Sequence, residues 1–187
     1  WKWFVNGEAV VENGSKYSGE NFNISNYGRP FGVTYANGYF WLADYEKSKV
    51  DKYDPNWTYT GVSFHTSFQP IGVTYTNDHF WITDWQKKVH KYDQNWTYVG
   101  NFDIAFNPVG ITYTNDHFWI TDFWKQKVYK YYLDGTYAEN FSIAFNPAGI
   151  TYTNNHLWIT DYNGKEVRKY DSSGLYTRVS FSTAAEK

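Results

Sequence analysis

One phrase of thirteen residues occurs four times in this chain and constrains its fold more than any other feature. The copies are GVTYANGYFWLAD, GVTYTNDHFWITD, GITYTNDHFWITD and GITYTNNHLWITD, which begin at Gly32, Gly72, Gly110 and Gly149. Successive copies start 40, 38 and 39 residues apart. Tandem units of this length, when they are built of strands, bury their faces against their neighbours. The repeat therefore predicts an all-β repeat architecture.

Each unit carries the signals of four strands. In the second unit the predicted strands are Gly72–Thr76, His79–Asp84, Val89–Asp93 and roughly Thr97–Phe106. A two-residue turn joins the first two strands of every unit: Asn37-Gly38, Asn77-Asp78, Asn115-Asp116 and Asn154-Asn155. Asn, Asp and Gly tolerate the positive φ angles of a type I′ turn. Four such turns at matched positions predict four tight hairpins.

The apolar pattern changes from the inner to the outer strands of a unit. The run Phe80-Trp81-Ile82 is apolar on both strand faces, which indicates a strand covered on both sides. The fourth strand alternates and is expected to be half exposed. This gradient is typical of a four-stranded β-propeller blade. We expect the equivalent residues of the four units to be buried alike, namely Phe40, Phe80, Phe118 and Leu157.

A second recurrent motif carries a family resemblance. Each unit contains Pro-x-Gly-[Val/Ile]-Thr, an apolar strand that ends in Asp, and then a segment of the type Lys-Val-x-Lys-Tyr. That last segment occupies residues 49–53, 88–92 and 127–131, and residues 166–170 in the variant form Glu-Val-Arg-Lys-Tyr. The pattern resembles the NHL-repeat family over about Pro30 to Phe181. The resemblance implies a β-propeller and leaves function open, because the family includes protein-binding, RNA-binding and enzymatic domains.

The first part of the chain fits the repeat only partly. Glu20–Ser25 resembles the outer strand at Glu139–Ile143, and Val10–Glu12 and Lys2–Val5 suit a third and a second strand. We therefore predict one domain over 1–187, with an irregular partial blade at 1–29 and four repeats at 30–187. The ring either closes as a five-bladed propeller or forms part of a larger ring, and a second chain that completes it is a further alternative.

Composition excludes several classes of protein. The chain has no Cys, so disulfides and thiolate metal sites are impossible, and its apolar runs are too short for a transmembrane helix. A net charge of −2 gives no global attraction to nucleic acid or membrane. Because the chain opens at Trp1 without a signal-like segment, we expect a processed chain or an excised piece.

Two sets of recurrent polar residues are expected to be structural. Asp44, Asp84, Asp122 and Asp161 end the second strands, where each carboxylate can accept N–H bonds from the following loop. His79, His117 and His156 follow the hairpin turns, and Tyr39 takes their place in the first unit. We predict no metal site and no cofactor. No catalytic motif is recognisable, so we also predict that the protein is not an enzyme.

The loops after the second strands carry the candidate binding residues. Cations and tryptophans recur there at matching positions, and symmetry gathers them on one face of the ring: Lys47, Lys49, Trp85, Lys87, Lys88, Trp124, Lys125, Lys127, Lys165 and Arg168. Tyr45, Phe123 and Tyr162 are further aromatic residues of these loops. A basic face interleaved with aromatic rings suits an anionic polymer. Solvated loop charge, offset by nearby carboxylates, is the alternative interpretation.

Five sequons bear on localisation. They begin at Asn13, Asn23, Asn56, Asn95 and Asn140, and each would accept an N-glycan in a secreted chain. We therefore expect an extracellular, non-enzymatic binding module that presents a propeller face to a protein or to an anionic polymer such as polysaccharide or RNA. The alternative is a structural subunit that assembles into a fibre or a surface layer, because an incomplete blade leaves strand edges for a neighbour.

Overall fold

The computed structural model describes residues 28–182, which form sixteen β-strands and no helix. The first two blades comprise β1 Pro30–Ala36, β2 Tyr39–Asp44, β3 Lys49–Tyr53, β4 Tyr59–His65, β5 Val73–Thr76, β6 His79–Thr83, β7 Lys88–Asp93 and β8 Tyr98–Asp103. The next two comprise β9 Pro108–Thr114, β10 His117–Asp122, β11 Lys127–Tyr132, β12 Tyr137–Ser142, β13 Pro147–Thr153, β14 His156–Asp161, β15 Glu166–Asp171 and β16 Tyr176–Ser182. The predicted all-β class is confirmed.

Every blade is an antiparallel four-stranded sheet whose strands lie side by side in chain order. The predicted type I′ turns are confirmed, because both central residues of each turn have positive φ. In the first blade these angles are 53° at Asn37 and 81° at Gly38. In the third they are 43° at Asn115 and 69° at Asp116. The twist of such turns matches the twist of the strands that they join.

The four blades follow one another around a ring, with the first strand of each blade innermost. Glycine is required there because neighbouring inner strands approach closely. A Cβ on Gly72 would lie 2.9 Å from the carbonyl oxygen of Val109, and one on Gly110 would lie 2.6 Å from that of Ala148. The inner strands of all four blades line a central cavity of about 110 Å³.

Aromatic side chains fill the interfaces between consecutive blades. Trp41 of the first blade contacts Phe80 of the second with 4.9 Å between ring centroids, and Trp81 contacts Phe118 of the third at 4.8 Å. Trp119 packs in one buried cluster with Leu157 of the fourth blade. The predicted burial of Phe80, Phe118 and Leu157 is thus confirmed.

The same prediction is wrong for Phe40, which is only half buried. Phe40 lies on the side of the first blade that no described blade precedes. Trp158 lies on the side of the fourth blade that no described blade follows, and it is also half buried. The equivalent Trp41, Trp81 and Trp119 are 5%, 4% and 2% exposed. Identical sequence positions therefore differ in burial because their neighbours differ.

The outer strands are shorter than predicted. β8 ends at Asp103 rather than at Phe106. Ile104 and Phe106 leave the sheet because their side chains are buried beneath the next blade, where Phe106 stacks on Tyr129 at 4.1 Å. The predicted half-exposed character of the outer strand is confirmed by its alternating burial.

Two predictions depend on parts of the chain outside this description. The partial blade at 1–29 falls almost wholly on residues 1–27, so it stays a prediction. Among residues 28–182, no helix has the length and apolar character needed to cross a membrane.

Candidate binding face

The loops after the second strands are held by the recurrent aspartates. Lys88 N–H donates to Asp84 at 3.0 Å, and the N–H groups of Trp124 and Lys125 donate to Asp122 at 3.1 and 3.0 Å. All four aspartates are at most 5% exposed. The predicted capping role is confirmed, and it fixes the backbone of the loops that carry the candidate residues.

The residue that faces each aspartate from the third strand breaks the symmetry of the repeat. His90 Nε2 lies 2.8 Å from Asp84 Oδ2, and the Arg168 guanidinium donates to Asp161 Oδ2 at 2.9 Å. In the third blade the position holds Tyr129. Asp122 Oδ2 is buried there without a hydrogen-bond partner in the part of the chain that the structure describes. The negative charge of Asp122 and burial together raise the pKa of Tyr129, burial contributing more.

The recurrent histidines have a local structural partner. The Nδ1–H groups of His117 and His156 donate to the carbonyl oxygens of Asn115 and Asn154 at 2.8 and 2.5 Å, and His79 does the same to Asn77. These bonds tie each ring to its own hairpin turn. Within residues 28–182 no group of three or more His, Asp or Glu side chains is placed to hold a metal ion.

Six aromatic side chains form a continuous belt across one end of the propeller, called here the aromatic rim: Phe31, Tyr45, Trp85, Phe123, Trp124 and Tyr162. Tyr45 and Trp85 are 4.9 Å apart, and Trp85 and Trp124 are 6.4 Å apart. Phe123 continues the belt to Tyr162 at 5.3 Å. The rim therefore links the loops of all four blades.

The aromatic rim borders a groove of about 180 Å³ at this end of the central cavity. Pro30, Val109 and Ala148, at the beginnings of the inner strands, form its floor together with Phe31. Trp85, Phe123, Trp124 and Tyr162 form its walls, with Arg29 at one edge. Trp124 is 58% exposed, Tyr162 44% and Trp85 38%. Contiguous exposed apolar surface of this kind is uncommon on a protein without a partner.

Hydrogen bonds fix the backbone of the loops that carry the rim. The Asn146 side chain donates to the carbonyl oxygen of Phe123 at 2.9 Å, and the Asn146 carbonyl oxygen accepts from Tyr162 N–H at 3.1 Å. In the first blade, the N–H groups of Gly28 and Arg29 donate to Asp44 at 3.0 and 3.1 Å. The rings are therefore presented on a preformed backbone.

The structure divides the predicted cations into two groups. Four of them lie along the third strands and are held within their own blades. Lys49 pairs with Asp51 at 2.7 Å, Lys88 with Asp103 at 2.5 Å, Lys127 donates to Asn140 at 3.1 Å, and Arg168 pairs with Asp161 at 2.9 Å. The hydrogen bond to Asp103 raises the pKa of Lys88. These four cations already have partners in their own blades, and their predicted role in binding stays a prediction.

The second group lies in the loops themselves. Lys47, Lys87, Lys125 and Lys165 are exposed residues of the same loops that carry the rim. Lys87 and Lys165 occupy the last loop position with φ of 65° and 53°, a left-handed conformation that aims the chain into the third strand. Trp85 and Trp124 line the groove, and their predicted role in binding stays a prediction.

Sequence reasoning missed two residues of this site. The Arg29 guanidinium lies 5.2 Å from the ring centre of Phe31 and 5.9 Å from that of Tyr45. A departure from the repeat marks Phe31, since the equivalent positions hold Ile71, Val109 and Ala148. An aromatic residue in place of a small aliphatic one was the available signal.

The described sequons lie on the surface. Asn56, Asn95 and Asn140 are exposed, the first two in the turns before the outer strands and the third within β12. Asn13 and Asn23 lie outside the described residues. Surface position is compatible with glycosylation, which stays a prediction.

Comparison with known proteins supports the fold. No family model matches the chain, and no curated protein matches it, so the NHL resemblance stays a prediction. Solved structures do match. They include a streptogramin B lyase at 20% identity with a TM-score of 0.64, a nidogen/laminin complex at 15% with 0.69, and glutaminyl cyclase of Myxococcus xanthus at 9% with 0.67.

These similarities are partial in length. They cover 87%, 84% and 79% of this chain, but 58%, 65% and 69% of the three matched chains. The four blades thus correspond to about three fifths of the lyase structure. At such low identity the likeness establishes the propeller fold, and both binding proteins and enzymes occur among the neighbours.

Proposed function

We propose that this protein is a non-enzymatic binding module that presents the aromatic rim to a partner molecule. The observation that carries the proposal is the continuity of the rim. Rings from all four blades meet around one groove, although the sequence of the loops is the most variable part of the repeat. Clustered, exposed Trp and Tyr side chains are the residue types that dominate binding energy at interfaces.

The chemistry of the rim favours binding over catalysis. The groove is walled by aromatic and aliphatic side chains, and Arg29 is its one charged lining residue among those described. General acid–base or nucleophilic catalysis needs a titratable group within hydrogen-bond reach of a reacting atom. The structural neighbours in the nidogen/laminin complex and in the BBS1–ARL6 complex are proteins with protein partners.

We further propose that the module acts outside the cell and is glycosylated. Support comes from the sequons at Asn56, Asn95 and Asn140 on exposed turns and strands. Intact-mass measurement of protein from its native source should show at least one glycan. The bare polypeptide mass would contradict this part of the proposal.

The binding role can be tested with defined probes. Immobilised protein is titrated with heparin, polyuridylic acid and synthetic peptides, and binding is compared with that of the Trp85→Ala/Trp124→Ala double variant. We expect at least one probe to bind the unmodified protein and to lose at least tenfold in affinity to the variant. A probe that binds both equally would show that the rim is not the site.

The matched control for this test is Leu175→Ser. Leu175 is 68% exposed and lies in the turn between β15 and β16, at the opposite end of the blade from the rim. The Leu175→Ser substitution removes a large exposed apolar side chain that lies away from the rim. Its affinity for every probe should equal that of the unmodified protein.

A second candidate function is self-assembly, favoured by the two faces, one on the first blade and one on the fourth, that no blade within residues 28–182 covers. Trp158 and Phe40 are the half-buried counterparts of rings that are buried at the three interfaces between described blades. A large half-buried ring on each of these two faces would suit head-to-tail contact between copies. Sedimentation at increasing concentration tests this role: growth of the mean mass that Trp158→Ser abolishes would support it, whereas a constant monomer mass would contradict it.

A further inference from the structure

The lining of the groove specifies the kind of ligand that it can accept. Its floor consists of Pro30, Phe31, Val109 and Ala148, and its walls are mostly indole and phenyl rings. Phe31 meets Trp85 at an interplanar angle of 77°, Trp85 meets Trp124 at 73°, and Phe123 meets Tyr162 at 83°. Rings set edge to face leave notches between them rather than one flat platform. Flat, compact apolar groups fit such notches.

A carbohydrate is poorly suited to this lining. Every sugar ring carries several hydroxyl groups, and polar groups removed from water without a partner cost free energy. The floor residues offer no side-chain donor or acceptor to these hydroxyls, and the hydrogen-bonding groups of the lining are confined to the indole N–H groups and the Tyr162 hydroxyl in the walls and to Arg29 at the edge. A lining of this kind favours a ligand whose contacting groups are apolar.

A nucleic acid is also disfavoured. Sequence-tolerant binding of single strands uses ring faces for base stacking and a positive groove along the phosphates. Here most rings of the rim are partly covered by contact with neighbouring rings, so less of each ring face is left for base stacking. The whole chain also carries a net charge of −2. The third-strand cations Lys49, Lys88 and Arg168 are neutralised by Asp51, Asp103 and Asp161.

Exposed cations nevertheless outnumber carboxylates in the segments that border the groove, where Glu46 is the carboxylate nearest to Arg29 in the first blade. Arg29 stands at one edge, over Phe31 and Tyr45. Lys87 follows Trp85 in its loop, and Lys125 follows Trp124. Positive charge around an apolar groove repels cationic ligands such as quaternary ammonium groups. It attracts a ligand with an apolar centre and acidic ends.

We propose that the groove binds an extended, proline-containing segment of a partner protein, with acidic residues on either side of the prolines. This inference rests on the proposed binding function and names its ligand class. Polyproline II segments dock into aromatic-lined grooves because their rings fit between aromatic side chains and their conformation is largely set before binding. Acidic flanks of the segment meet Arg29 at one edge and Lys87 or Lys125 near the exposed indoles.

The groove also has the right position for an extended segment. Its lining comes from all four blades, with Phe31 in the first, Trp85 in the second, Phe123 in the third and Tyr162 in the fourth. A segment lying across this end of the ring can therefore contact every blade in turn. The hydrogen bonds from Asn146 hold the third and fourth loops in place, so little ordering is needed when the segment binds.

The test uses two synthetic peptides of equal length and charge. One has a run of prolines between acidic ends, and the other has alanine and serine in place of the prolines. Fluorescence anisotropy measures the affinity of each for the unmodified protein, for Trp85→Ala, for Trp124→Ala and for the control Leu175→Ser. We expect measurable binding of the proline peptide alone, at least a tenfold loss in each tryptophan variant, and no change in the control.

Charge is tested separately with Arg29→Gln and with Lys87→Gln/Lys125→Gln. Both variants should weaken binding of the acidic proline peptide and leave a neutral proline peptide unaffected. Failure of the proline peptide to bind more tightly than its alanine–serine counterpart would overturn this inference. If heparin or polyuridylic acid then binds in a manner that depends on Trp85 and Trp124, the proposed binding face stands and only the ligand class is wrong.

Discussion

The indole ring of Trp96 lies parallel to the phenyl ring of Phe64, with 4.3 Å between their centroids and 11° between their planes. The indole ring also stacks on Phe80, with 4.5 Å between the ring centroids. Trp96 belongs to the second blade and Phe64 to the first, so this stack joins the two blades. Trp96 reaches the position from a turn in which its own φ is 62°.

The equivalent turn of the third blade has glycine in place of tryptophan. Gly135 takes the left-handed position with φ of 87°, and a Cβ there would lie 2.5 Å from Cγ of Phe102. Phe102 itself stacks with Phe118 at 6.1 Å. In the second blade Trp96 fills the space between its turn and Phe64 of the preceding blade. In the third blade Phe102 of the preceding blade lies against the turn itself, and only glycine fits there.

We therefore predict that Trp96→Gly destabilises the protein. Truncation of a fully buried aromatic residue costs about 3–5 kcal/mol. Trp96 is half buried, so we expect a cost at the lower end of that range, and relief of the left-handed conformation returns about 1–2 kcal/mol. The free energy of unfolding should fall by about 2 kcal/mol. Urea denaturation measures this change. Unaltered stability would mean that the packing of Trp96 on Phe64 contributes no more than relief of the left-handed conformation returns.

The unpartnered carboxylate oxygen of Asp122 gives a prediction of the opposite sign. In the second blade the position equivalent to Tyr129 holds His90, which pairs with Asp84 and stacks on Phe68 at 3.8 Å. Tyr129→His would introduce the same residue into the third blade. Phe106 already stacks on Tyr129 in the manner of Phe68. Supplying a donor to a buried carboxylate should raise the free energy of unfolding by about 1–3 kcal/mol.

The control for this substitution is Tyr129→Phe, which keeps the ring and supplies no donor. It should not stabilise the protein. The increase in the free energy of unfolding with Tyr129→His should be larger at low pH, because a pair with Asp122 would raise the pKa of the new histidine in the folded state. Stability from such a group is fully present below its unfolded pKa of about 6.5 and is lost as pH rises through the folded value. A loss of stability at every pH would contradict the prediction.

The hairpins and capped loops of this fold could be predicted from sequence because their causes are local. Asn and Asp tolerate positive φ, so an Asn-Asp pair between two apolar runs predicts a tight turn. Asp84 or Asp122 caps the loop that directly follows it. The same reasoning placed Trp85 and Trp124 on one face, since repeat symmetry carries equivalent loops to one end of the ring.

What could not be predicted depends on contacts between blades. Phe40 and Phe80 occupy the same position of the repeat, yet only Phe80 has a described blade packed over it on that side. Whether a lysine is held by its own sheet depends on the outer strand, as with Lys88 and Asp103, which lie fifteen residues apart. The groove was missed because Arg29 and Phe31 precede the first copy of the repeated loop.

The tyrosine at or next to the end of each third strand predicts how the stability of the protein depends on alkaline pH. Burial, together with the charge of Asp51, raises the pKa of Tyr53 to about 12. Burial also raises the pKa of the equivalent Tyr92, Tyr131 and Tyr170. The neutral phenol is thus favoured in the folded state, relative to an unfolded pKa of about 10.

The sign of this effect is fixed by linkage. A phenol with a raised folded pKa contributes stability that is fully present below about pH 10 and is lost as pH rises through the folded value. The protein should therefore lose stability between about pH 10 and pH 12. Titration of tyrosinate absorbance alongside circular dichroism measures it. The Tyr53→Phe variant should lose less stability over this interval, and tyrosines that all ionise near pH 10 while the fold persists would contradict the prediction.

A close approach of neighbouring blades gives the last prediction, which concerns Gly110→Ala. The added methyl group would lie 2.6 Å from the carbonyl oxygen of Ala148 and 3.0 Å from the backbone nitrogen of Ile150, both in the fourth blade. Backbone atoms of a packed sheet cannot move aside as a flexible side chain can. The third and fourth blades must therefore separate slightly, at a cost of about 1–3 kcal/mol in the free energy of unfolding.

Gly100→Ala is the matched control, because Gly100 also lies within a strand and a Cβ there would meet no atom within 4 Å. In the absence of a clash, alanine restricts the unfolded chain and should leave stability unchanged or raise it by about 0.4–1 kcal/mol. Thermal denaturation of the two variants side by side separates close packing from the intrinsic preference of alanine. Equal melting temperatures would show that the inner strands can move apart freely, and the glycine layer would then have no role in holding the ring together.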